Sequence, residues 1–147
     1  MPVQVFVDSS KRAKILGERY GDKCPGLILI DAFFVGDSGK PIDEMPGLDR
    51  ALELAGCSRP VVIIGVLAGE QLKDHRLREL QKKGNVAYAD PTLFGVAIET
   101  AYRKLMGLPP LEPDLSSWLP QNSAVPRATK LKWALEIEEA KRRTDEW

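Results

Sequence analysis

Cysteine and histidine are scarce in this chain. Its 147 residues include two cysteines, Cys24 and Cys57, and one histidine, His75, too few for a structural zinc cluster or a disulfide framework. A reducing, cytoplasmic setting is the expectation. Net charge is absent as well. Lys plus Arg and Asp plus Glu number 21 each, so no global field draws the chain to nucleic acid, and no nucleic-acid partner is expected without a local patch. No apolar run approaches the roughly 18 residues of a bilayer span; the longest, Gly26 to Ile30 and Pro60 to Ala68, are short. The N-terminus lacks the basic-then-apolar order of an export leader, so no membrane partner is expected either. What is present is ordinary globular composition, 44% hydrophobic and 29% charged, enough for one core.

Val3, Val5 and Val7 alternate with Gln4 and Phe6 and lead into Asp8-Ser9-Ser10, the pattern of a strand ending at a polar helix cap. A helix is predicted from about Lys11 to Tyr20. Leu27 to Ile30 and Pro60 to Val66 are unbroken apolar runs, as in parallel strands covered on both faces. Leu48, Ala51, Leu52 and Ala55 have helical spacing. A charged helix is predicted from about Glu70 to Lys83, a last strand at Asn85 to Ala89, and a helix through Leu93, Val96, Ala97, Ile98, Ala101, Tyr102 and Leu105. Four strands alternating with four helices predict a three-layer α/β domain over residues 1–107 with a parallel sheet of right-handed crossovers. Beyond Gly107 the prolines at 109, 110, 113, 120 and 126 predict an extended arm, and Arg127 to Glu146 a terminal amphipathic helix. Residues 108–147 thus form a second unit.

In open parallel sheets ligands bind beyond the carboxyl ends of the strands. Three strands deliver an aspartate there, Asp8, Asp31 and Asp90, and the third delivers Gly65. Converging carboxylates repel and are often joined by a divalent cation. The plainer reading makes Asp8 a cap of the first helix, Asp31 a loop cap and Asp90 the opening of the last helix. Gly36 to Lys40 lacks the spacing and the following Ser or Thr of a P-loop. His75 lies among Lys73, Asp74, Arg76 and Arg78, as on a solvated face, and no Ser or Cys sits in a nucleophile elbow.

Pro25-Gly26-Leu27-Ile28-Leu29-Ile30-Asp31, Met45-Pro46-Gly47-Leu48, Pro60 to Ile64 and Asp90-Pro91 together resemble the response-regulator receiver domain of two-component signal transduction, a flavodoxin-like fold. The resemblance runs from Pro25 to Leu105 and implies that Asp31 occupies the phosphoacceptor position. It also implies departures. Gly65 stands where that family has a hydroxyl residue and Asp90 where it has a lysine, and phosphoryl transfer depends on positioned cations. The stretch from Asp8 to Asp31 is one strand-helix unit short. The preferred alignment makes the opening strand the family's second, with the first unit and its acidic pair missing. The other makes it the family's first, with the second unit deleted and Asp8 keeping one acid.

The expected function is a divergent receiver-like regulatory or protein-interaction module without standard phosphorylation and without a cofactor. The alternatives are a Mg²⁺-dependent phosphoryl-transfer or phosphodiester-cleaving enzyme with Asp8, Asp31 and Asp90 as metal ligands, and a residual phosphoacceptor at Asp31. Trp118, Leu131, Trp133, Leu135 and Ile137 are candidate anchors for a protein partner or for self-association, because aromatic residues on short segments often anchor interfaces. The same residues would equally be buried if the tail folded back over its own sheet.

Overall fold

The computed structural model describes residues 2–66, 74–89, 96–110, 132 and 135–142. Strand β1 (Gln4–Phe6) leads into helix α1 (Ser10–Tyr20), and β2 (Ile28–Asp31) is followed by a short 3-10 turn (Ile42–Glu44) and α2 (Pro46–Leu54). Then come β3 (Val61–Ile64), α3 (His75–Gln81), β4 (Val86–Tyr88) and α4 (Val96–Met106). Residues 135–142 are helical. The four strands form one parallel sheet in the order β1-β2-β3-β4, with Gln4 opposite Ile28, Ile28 opposite Val61 and Val61 opposite Val86. The fold is the expected α/β architecture.

Both central strands are buried on both faces, so two apolar layers form. Leu27, Leu29, Val62, Ile64 and Ala87 face a core completed by Leu16 and Tyr20 of α1 and by Ala97, Ala101 and Tyr102 of α4. Ile28, Ile30, Val61, Ile63, Val86 and Tyr88 face the opposite core, completed by Leu48, Ala51 and Ala55 beside α2 and by Leu77 and Leu80 of α3. Helix α1 therefore lies on one face and α2 and α3 on the other. Each crossover steps one place in the same direction, so the α1 crossover has the opposite hand to the α2 and α3 crossovers. Because parallel crossovers are right-handed in about 98% of cases, the α1 connection is the left-handed one. The expectation of uniformly right-handed crossovers is corrected on this point.

Local chemistry explains the helix ends. Ser9 caps α1, its Oγ accepting from the Arg12 amide at 3.2 Å. Met45 takes the left-handed conformation at φ 50 and Pro46 starts α2, where a missing N–H costs nothing. The helix expected from Glu70 begins, among the described residues, at His75, because Asp74 is extended and its carboxylate accepts from the Arg76 amide at 2.8 Å. Helix α4 stops at Gly107, φ +66, where the Leu108 amide donates to the Arg103 carbonyl at 2.9 Å. That is the helix-ending bond a left-handed glycine permits. The Tyr102 hydroxyl donates to the Pro25 carbonyl at 2.8 Å and ties α4 to the approach to β2.

Part of the tail joins this core. Ala140 belongs to the α1/α4 layer and Ile137 is fully buried, whereas Leu135 is 71% exposed. Trp118, Leu131 and Trp133 lie outside the described residues. Burying an isoleucine stabilises by about 1.5–3 kcal/mol. Removing residues 135–147 is therefore expected to lower the urea midpoint of the remaining chain, and an unchanged midpoint would show that the helix contributes nothing to the core.

The two thiols differ in environment. Cys24 is fully buried and Cys57 exposed. Burial, with a smaller contribution from the Glu99 carboxylate, pushes the Cys24 thiol up to about 12, and burial pushes the Tyr20 phenol up to about 12 as well. The thiolate is the reactive species, so a thiol reagent at neutral pH is expected to modify one cysteine of the native chain and both in denaturant. Both acids hold their protons more tightly when folded. The stability they contribute is complete below their ordinary values of 9.0 and 10.0 and is lost as pH rises toward about 12. Cys24→Ala should flatten that alkaline slope, by up to about 1.4 kcal/mol per pH unit.

Candidate functional site

Parallel strands place Asp8, just after β1, and Asp31, the last residue of β2, at the same end of the sheet. Both carboxylates are engaged by the segment that leaves β2. The Phe33 amide donates to Asp31 Oδ1 at 2.9 Å, and the Val35 amide donates to Asp8 Oδ1 at 3.1 Å. Asp31 is thus a loop cap, as its sequence context allows. Asp8 does not cap the first helix; Ser9 does, and Asp8 instead fastens the β1–α1 turn to the loop after β2.

Arg12 supplies the positive charge at this end. Its Nη1 lies 3.2 Å from Asp31 Oδ2, with the Asp31 side chain 16% exposed and that of Arg12 44% exposed. No local pattern marks this contact, since an arginine on the first turn of an amphipathic helix reads as solvated. Its position three residues after the cap, on a helix returning beside β2, is the signal that could have pointed to it.

Gly65 and Gly47 close the site from two sides. Gly65 has φ +90, and a Cβ there would stand 2.4 Å from Asp31 Oδ1. The carboxylate therefore occupies the space a side chain at position 65 would need. A Cβ on Gly47 would stand 2.0 Å from the Asp31 carbonyl oxygen, while the Gly47 amide donates to the Ala32 carbonyl at 3.0 Å. Helix α2 thus begins against the backbone at the end of β2, which only glycine permits.

A second polar cluster holds the long loop. Arg76 Nη2 lies 2.8 Å from Asp74 and its Nη1 3.3 Å from Asp49, and the guanidinium also donates to the Met45 and Glu44 carbonyls. Lys40 reaches Asp49 at 2.9 Å. Hydrogen bonding from Arg76 holds the Asp74 carboxyl below its ordinary range, and that from Lys40, then the Arg76 charge, does the same for Asp49. Lys40 thus ties the Gly36–Glu44 loop to α2, and Arg76 ties the end of that loop to α3. His75 is 80% exposed, 3.9 Å from Asp74, on the solvated face expected for it.

Asp90 lies outside the described residues, so the third strand-end carboxylate is not placed. Among the described residues, no three His, Cys, Asp or Glu side chains gather as a metal cluster, and no helix is long and apolar enough to cross a membrane. No family model, curated protein or solved structure matches the chain. Chemically, the described site is one carboxylate neutralised by a guanidinium and a second held by a backbone amide.

Placing a side chain at position 65 tests this packing. Gly65→Ser combines an unfavourable φ with displacement of the Asp31 carboxylate, and is expected to cost about 1–3 kcal/mol in urea unfolding. Arg12→Ala, which removes a part-exposed pair, should cost less than about 1 kcal/mol. A Gly65→Ser chain as stable as the parent would show that Asp31 is free to move aside.

Proposed function

We propose that this chain is a divergent receiver-like regulatory or protein-interaction module of signal transduction, in which the strand-end aspartate serves as an ion-pair anchor instead of a standard phosphoacceptor. The observation that carries this reading is the engagement of Asp31. One carboxylate oxygen is bound by Arg12, the other by the Phe33 amide, and Gly65 lies directly against it. A phosphoacceptor must offer a free oxygen to the donor and then place cations and donors around the transferred group. Here the guanidinium is spent on the unmodified carboxylate, and position 65 offers no hydroxyl.

The topology supports the receiver resemblance and favours the second of the two alignments. In the flavodoxin-like order 2-1-3-4-5, right-handed crossovers put the first helix on one face and the next three on the other, because the first step runs opposite to the rest. Deleting the second strand and second helix leaves strands adjacent in chain order, with the first helix alone on its face and its crossover reversed. That is the arrangement observed. A missing first unit would instead put a gap between β1 and β2, which are directly paired. On this reading strand β1 corresponds to the family's first strand, and Asp8 to one of its acidic residues.

The rival reading, metal-dependent phosphoryl transfer through Asp8, Asp31 and Asp90, requires a cation to displace Arg12 from Asp31. Treatment with a small phosphodonor and Mg²⁺, read by intact mass, is expected to leave the chain unmodified. A stoichiometric phosphoryl adduct that disappears in Asp31→Asn would overturn the anchor reading, and tight Mn²⁺ binding abolished by the same substitution would favour the metal enzyme.

A further inference from the structure

We propose that the interaction partner of this module is a second copy of the chain, joined through β1 so that two four-stranded sheets become one continuous sheet with a two-fold axis at Val5. The proposal deepens the interaction-module reading by naming its partner. Strand β1 pairs only with β2 among the described residues. The Gln4 amide donates to the Leu27 carbonyl at 2.9 Å. Alternation along a strand then turns the N–H and C=O of Val3, Val5 and Val7 toward the open edge. An open row of such groups is a template for another strand, and edges that stay single usually carry a charge, a proline or a bulge within the strand. Residues 3 to 7 carry no charge and no proline, and Pro2 stands just before this short strand.

The sequence of β1 is self-complementary about Val5. An antiparallel two-fold puts Val5 opposite the second copy's Val5, Val3 opposite its Val7 and Gln4 opposite its Phe6. The valines extend the α1-side core, where Val3, Val5 and Val7 already pack, and no like charges meet, which would oppose pairing. Each Val5 both donates to and accepts from its counterpart.

Helix α1 adds a second, independent match. Ala13, Leu16 and Tyr20 face the core, and Arg12 reaches across to Asp31 on β2. At 3.6 residues per turn, the flank opposite Arg12, over the open edge, carries Lys14 and Gly17, with Glu18 beside them. Lys14 and Glu18 are exposed, and a Cβ on Gly17 would meet nothing within 4 Å. Helix α1 packs against β1, so pairing the two β1 strands brings the two α1 helices side by side. The same two-fold lays Lys14 of one copy against Gly17 of the other, its ammonium beside that copy's Glu18. Opposite charges thus meet twice.

Sedimentation of the full-length chain from low to high micromolar concentration tests this, with melting curves confirming that each variant is folded. A dimer is expected. Val5→Pro removes the outward donor while sparing the Gln4–Leu27 bond, and should give a monomer. Lys14→Glu and Glu18→Lys should each weaken the dimer at least tenfold, and the double exchange should restore it; should Val5→Pro not fold, these charge variants decide alone. A monomer at every concentration, with the edge covered by the chain's own tail, would overturn the proposal. So would a dimer indifferent to Val5→Pro and to both charge changes. A phosphoryl adduct on an intact dimer would sink the anchor reading alone, and a monomer without an adduct would sink the dimer alone.

Discussion

Two strands that are apolar on both faces impose the constraint on which the rest of this fold depends. Ile28 to Ile30 and Val61 to Ile64 expose almost nothing to solvent on either side, so helices must cover both faces. With strands adjacent in chain order, crossovers of one hand would place α1, α2 and α3 on a single face. Leu29, Val62, Ile64 and Ala87 would then face water or depend on α4 alone. Reversing the hand of the α1 crossover covers the second face. Residues Leu16 and Tyr20, together with α4 and Ala140, complete that layer. The disfavoured connection is thus held by the burial it permits, at about 25 cal/mol for each Å² of apolar surface removed from water.

The same geometry organises the carboxyl end of the sheet. Because α1 returns beside β2 on the face to which Asp31 points, Arg12 falls within reach of that carboxylate; on the α2 face it could not. Neutralising Asp31 removes the repulsion between two aspartates at neighbouring strand ends. The glycines at 47 and 65 then let α2 and the turn after β3 close over the junction. Charge, chain direction and side-chain volume are settled together here, which is why a residue that could be chemically active is used to hold the loop after β2.

Much of this was legible in the sequence. The unbroken runs at Leu27 to Ile30 and Pro60 to Val66 announced buried parallel strands, and apolar spacing located α1, α2 and α4 to within a few residues, because periodicity and turn residues are local signals. Sheet order and crossover hand are not local, so periodicity does not reveal the reversed α1 crossover. The volume constraint on Gly65 is visible only with Asp31 Oδ1 against it. The competition between Asp8 and Ser9 for the cap of α1 was likewise undecidable locally, since both are good caps. It is resolved by the Val35 amide, 27 residues away from Asp8, which takes the aspartate.

Three observed features meet at the first strand-helix unit. The α1 crossover has the opposite hand to those of α2 and α3, so α1 alone of the three crossover helices covers the face of Leu29 and Val62. Strand β1 pairs with β2 alone among the described residues, and Val3, Val5 and Val7 turn to that same face. Arg12, on the first turn of α1, reaches Asp31 Oδ2 at 3.2 Å, so the placement of α1 that covers the second face also sets the charge balance at the carboxyl end of the sheet.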